Sequence, residues 1–131
     1  MPERTFRIHG IDGIDGNIKP TKDVGTLMRS YGWAWHDKVT GDGFGHVIHN
    51  WAATGRPLIG HASHYAGQMA GPLWEDGVTA IDLDRHAVSE LPALLETLDN
   101  VAMGHAIRDR FEELVDWEAE ADEVRQLLVG E

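Results

Sequence analysis

The sequence contains no cysteine, so disulfides, thiol catalysis and thiolate metal sites are all excluded. Basic residues are scarce: 11 Lys and Arg stand against 22 Asp and Glu, leaving a formal net charge of −11. That balance disfavours a nucleic-acid backbone or an anionic membrane surface as partner, although a small phosphorylated ligand needs only a local cluster of donors. No apolar run approaches the ~18 residues of a membrane span, and Met1–Pro2–Glu3–Arg4 does not open a signal peptide. Internal repeats and low-complexity tracts are lacking too, and 131 residues suit a single domain with an ordinary core. The expectation is a soluble, cytoplasmic protein.

What is present is an alternation of short extended and helical patterns. Residues 5–9 read as a strand, followed by a loop holding Gly10, Gly13 and Gly16. A short helix is expected over 23–30, then a strand over 31–36 that ends in the polar turn His36–Asp37–Lys38. A helix over 44–54 follows, with Phe44, Val47, Ile48, Trp51 and Ala52 as its core-facing stripe and Gly55 as its stop. Pro57 then begins an extended run over 58–60, a short helix is expected over 65–70, and a strand over 78–82. From Ser89 the pattern is helical: Ser89 is a candidate N-cap with Pro92 in the first turn, and Asp99 or Asn100 can cap a second helix burying Ile107, Phe111 and Leu114. Asp116 can cap a third that buries Ala121, Val124 and Leu128. Strands alternating with helices imply an α/β layer around a parallel sheet, whose ligands sit at the carboxyl ends of the strands. Lys38 and Asp42 follow one strand and His61 and Ser63 the next, so all four are expected at one crevice.

The segment Gly41–Asp42–Gly43–Phe44–Gly45–His46 is the most informative in the chain. A glycine-rich turn feeding a helix offers backbone N–H groups and the positive end of the helix dipole to an anion. Asp42, His46 and Asn50 are spaced by four and share one helical face, opposite the apolar stripe. Asn50 can both donate to and accept from vicinal hydroxyls, Gly43 and Gly45 admit close approach of a ligand, and Lys38 supplies a point cation for phosphate. The plainer reading is that Asp42 caps the helix and the polar face is solvated.

Residues 42–60 resemble the donor-binding segment of GT-B glycosyltransferases of the retaining group 1/group 4 type. That family carries Glu-Gly-Phe-Gly, a second Glu eight residues after the first, and then Ala-x-Gly-x-Pro-Val-Ile. Here stand Asp42-Gly43-Phe44-Gly45, Asn50, and Ala53-Thr54-Gly55-Arg56-Pro57-Leu58-Ile59. Asp76–Gly77–Val78–Thr79–Ala80–Ile81 extends the likeness more weakly to a second turn and strand of the family. The resemblance implies a Rossmann-like parallel sheet flanked by helices, part of a GT-B C-terminal domain, with a helical C-terminal tail. In that expectation 1–131 is one domain, about 1–85 forming the donor-binding core and about 86–131 the tail.

The resemblance further implies transfer of a sugar from a nucleotide-diphosphate sugar to an acceptor it does not name. Asp42 would be the catalytic position facing the donor sugar. Gly43, Phe44 and Gly45 would present helix amides to the diphosphate, with Lys38 and His46 beside them, and Asn50 would hold the ribose hydroxyls. No metal or other cofactor is expected, and a separate N-terminal acceptor domain would complete the enzyme, because GT-B catalysis uses two domains. The rival expectations are a catalytically silent nucleotide- or sugar-binding module, a split-enzyme subunit, or a nucleotide-sugar epimerase of similar architecture. His46 with His49 and His61 with His64 are each three apart, so a mixed metal site with carboxylates is the minority reading of the histidines. Trp33, Trp35 and Trp51 are expected in the core, and the acidic stretch 112–123 on a solvated helical face.

Overall fold

Leu58–Gly60 is apolar and buried along its whole length, and it forms the central strand β2 of a three-stranded sheet in a computed structural model that describes residues 24–39 and 45–129. It pairs in parallel with β1 (Ala34–Trp35) on one side and β3 (Ala80–Asp82) on the other, in register Ala34 to Leu58 to Ala80. Two-residue alternation sorts these strands between two cores. Leu58 and Ala80 face a cluster with Ile48, Ala52, Tyr65, Leu73 and Ile107. Ile59 and Ile81 face the other, with Leu83, Leu91 and Leu95.

Helices cover both faces. Helices α2 (His46–Ala53) and α4 (Asn100–Leu114) pack on the first, α3 (Leu91–Thr97) on the second, and α1 (Val24–Arg29) precedes β1 with Met28 buried. The fold is thus α/β, a parallel sheet flanked by helices with a helical C-terminal tail, as its pattern predicts. Helix α4 is capped as expected: the Asp99 carboxylate accepts from the backbone N–H groups of Val101 and Ala102. Helix α2 ends at Thr54, and Gly55 at φ 70° turns the chain into β2. Where α2 meets α4 the backbones nearly touch, and a Cβ at Gly104 would overlap the Gly55 carbonyl oxygen.

Several details differ from the expectations. The expected strand over 5–9 and the glycine loop after it lie outside the described residues. Strand β1 is only two residues long, and Trp35 points outward, 45% exposed. Trp33 and Trp51 are half-buried, one against each core, so tryptophan packing holds for two of the three. Val47 is exposed and His49 is buried in its place: the buried face of α2 runs through Ile48, His49 and Ala52, rotated from the apolar stripe. The expected helix over 65–70 is instead two 3₁₀ turns, Ala62–Tyr65 and Gly71–Leu73, flanking an irregular link. Ser89 falls inside a 3₁₀ turn, Val88–Glu90, and does not cap α3, although Pro92 occupies the first turn as expected. In α5 (Trp117–Val129) Asp116 does accept from the Ala119 N–H, but no residue of the helix is buried, Val124 and Leu128 included. Leu114 is likewise exposed. No helix among the described residues is long and apolar enough to cross a membrane.

Candidate ligand site at the carboxyl edge of the sheet

The three strands run the same way, so the segments leaving β1, β2 and β3 emerge at one edge, where ligands of parallel α/β sheets dock. Leaving β1 are His36, Asp37 and Lys38. Tyr65, fully buried and stacked on Trp74 with ring centroids 4.8 Å apart, holds them: its hydroxyl lies 2.6 Å from His36 Nδ1 and accepts from the Lys38 backbone N–H. Gly60 makes this packing possible. A Cβ there would lie 2.5 Å from the His36 carbonyl oxygen and 2.9 Å from the Trp74 ring.

The turn leaving β2 carries His61, Ser63 and His64, and carboxylates grip it at three successive backbone N–H groups. His61 N–H donates to Asp37 Oδ1 (3.2 Å), Ala62 N–H to Asp82 Oδ1 (3.1 Å) and Ser63 N–H to Asp84 Oδ2 (2.9 Å). The side chains converge as well. His61 Nδ1 is 2.5 Å from Asp37 Oδ2 and His64 Nδ1 is 2.7 Å from Asp37 Oδ1, with the two imidazole rings 4.8 Å apart. Burial alone would raise the Asp37 carboxyl pKa, but donation from the His61 ring and backbone, and from His64, outweighs it and holds the group below its usual range. Asp84 is lowered too, first by the Ser63 backbone N–H and then by the Ser63 hydroxyl.

Helix α2 runs back from this edge, so its N-terminus opens there. Gly45 is the N-cap, buried at φ 76°, a left-handed conformation that suits glycine; its backbone carbonyl accepts the His49 N–H, and no side chain among the described residues caps the helix. His46 and Asn50 are exposed on α2, and Lys38 is exposed at the end of β1. Asp42, Gly43 and Phe44 lie outside the described residues. His49 does not join His46 in a ligand set: it is buried, with Nδ1 2.9 Å from the Gly45 carbonyl oxygen and its ring edge-on to Phe111.

Beside the gripped turn lies an open cleft of about 610 Å³, within the size range of small-molecule pockets. Ser63, Gln68, Trp74, Asp82 and Asp84 line it. The Trp74 indole N–H is buried and has no hydrogen-bond partner among the described residues.

Of the four residues expected at one crevice, Lys38 leaves β1 and His61 and Ser63 leave β2 at this edge, only Ser63 lines the cleft, and Asp42 lies outside the described residues. Asp37 and His64 join His61, and Asp82 and Asp84 line the cleft with Ser63. Asp37 was legible as part of a polar turn after a strand, and His61 with His64 as a spaced pair. Their convergence needed the parallel register. The class defined is an α/β domain with a polar carboxyl-edge site. No protein-family model, curated protein or solved structure matches the chain.

Proposed function

We propose that the chain is the donor-binding part of a glycosyltransferase, taking a nucleotide-diphosphate sugar at the carboxyl edge of its sheet and, with an acceptor domain, passing the sugar to an acceptor. The observation that carries this reading is the parallel sheet whose carboxyl edge combines the glycine-entered end of α2 with the polar cleft beside Ser63, Asp82 and Asp84. The resemblance of residues 42–60 to GT-B donor-binding segments supplies the chemistry. Amides at the start of α2 and the Lys38 ammonium take up diphosphate charge, which stabilises the departing nucleotide. Asn50, on the exposed face of α2 one turn beyond His46, bonds the ribose hydroxyls, and Asp42 orients the sugar. Carboxylates lining a cleft are also groups that bind sugar hydroxyls. A cytoplasmic location, without a nucleic-acid partner, goes with this reading.

Isothermal titration of the chain with UDP-, GDP- and ADP-sugars tests it. One of them should bind at a stoichiometry of one, with Asn50→Ala weakening it by about tenfold through loss of a buried ribose contact. Absence of binding to all three refutes the reading. Transfer assays with an added acceptor domain then separate an enzyme from a silent binding module.

A further inference from the structure

We propose that Asp37, His61 and His64 form a binding site for one divalent transition-metal cation of the zinc type. Each side chain offers a ligand atom, and the three atoms lie within 4.8 Å of one another. Two imidazole nitrogens and a carboxylate oxygen are the donor set that zinc and its first-row neighbours prefer, whereas magnesium and calcium prefer oxygen alone. Protein sites that bind such an ion as a reactive centre commonly supply three ligands and leave the remaining position to water or substrate. All three side chains are partly exposed, at 24%, 33% and 22%, so an ion can enter and keep such a position.

The frame around the ligands is built to the standard a metal site requires. His61 and His64 sit on a turn whose N–H groups at positions 61, 62 and 63 are each held by a different aspartate, Asp37, Asp82 and Asp84. Asp37 is anchored in turn by following His36, which Tyr65 fixes. Outer bonds of this kind orient ligands before the ion arrives. Two imidazole rings 4.8 Å apart, both bonded to one carboxylate, bring nitrogen and oxygen donors to a common point. Electrostatics favour the cation as well: Asp82 and Asp84 add negative charge next to the turn in a chain of net charge −11.

Without an ion the cluster is a pair of hydrogen bonds, 2.5 and 2.7 Å long, from the rings to Asp37. A tetrahedral zinc ion with bonds of about 2.0–2.1 Å holds its donor atoms roughly 3.4 Å apart. Loading therefore lengthens these two contacts by less than about 1 Å and brings donor atoms now within 4.8 Å of one another to that common spacing, with each ring carrying its proton on Nε2. Side chains of this exposure can move that far without disturbing the sheet.

The inference stands on these three side chains and apart from the nucleotide-sugar reading. The test uses the full chain and the metal alone: titration calorimetry with zinc chloride at neutral pH, and visible absorption with cobalt(II). Saturable zinc binding at a stoichiometry of one, with tetrahedral cobalt bands, is expected for the parent. Asp37→Asn and His64→Gln should each weaken binding at least about tenfold and remove the cobalt bands, while His105→Gln on α4 leaves both unchanged. Circular dichroism verifies each variant's fold, and either folded variant suffices. Failure of the parent to saturate, or undiminished binding in the folded variants, overturns the site and leaves a hydrogen-bonded cluster only. Zinc binding without nucleotide-sugar binding keeps this inference and removes the other reading; the opposite result does the reverse.

Discussion

Gly60→Ala tests how tightly the edge is built. The added methyl would sit 2.5 Å from the His36 carbonyl oxygen and 2.9 Å from Cη2 of Trp74. Neither neighbour yields easily. The His36 backbone is tied to β2 through its N–H, which donates to the Ile59 carbonyl (3.1 Å), and the Trp74 ring is stacked on Tyr65. The Gly60 carbonyl is itself fixed, accepting the Leu83 N–H at 2.8 Å. Overpacking of this kind costs about 1–3 kcal/mol, and backbone atoms on one side of the contact place the cost near the top of that range. Alanine recovers roughly 0.5–1 kcal/mol of chain entropy relative to glycine. The net expectation is a destabilisation of about 1.5–2 kcal/mol, equivalent to a fall of roughly 5–10 °C in melting temperature for a domain of this length. Urea unfolding followed by tryptophan fluorescence measures it, through a lower midpoint at unchanged slope. A Gly60→Ala protein as stable as the parent would refute the close approach, and with it the claim that His36 and Asp37 are set by backbone packing under β2.

Two further outcomes are expected. Asp99→Ala deletes the acceptor for two N–H groups at the start of α4 and should cost about 1 kcal/mol in urea unfolding; no loss would mean that solvent serves those donors equally well. His86 faces Asp76 through Nε2 (2.9 Å) and Glu90 through Nδ1 (3.2 Å), and its pKa is raised above 6.5, mainly by the Asp76 bond, with burial opposing. Because the folded protein favours the imidazolium, this stabilisation is complete below about pH 6.5 and is lost as pH rises through the raised value. The urea midpoint of the parent relative to His86→Gln should therefore decline across that interval, and parallel pH profiles would count against the pair.

The parallel sheet was legible because its signals are local and agree: Pro57 before a fully apolar run, Gly55 after a helical one, and Asp99 ahead of an amphipathic stretch. The misreadings share a cause. Val47 was placed on the core-facing stripe by hydrophobicity and His49 was left off it, but the rotation of α2 is set by its packing against α4 and by the Gly45 entrance, and a histidine that bonds the Gly45 carbonyl can be buried at little cost. The apolar residues of α5 gave the period of a packed helix, yet a period says nothing about whether a partner surface exists. At the candidate site, the pair His61 and His64 was visible as spacing, whereas Asp37 lies 24 positions before His61 and reaches it only because β1 and β2 run side by side.

The near-contact between Gly55 and Gly104 bears on how this edge can respond to an incoming molecule. With main chain lying against main chain, α2 has no side-chain cushion over which to slide or tilt on α4. The mouth of α2 at the far end of the same rod is thereby held in place before anything arrives. A helix braced in this way has little main-chain freedom left to surrender, so a ligand taken up at its described end would bind without first ordering that backbone.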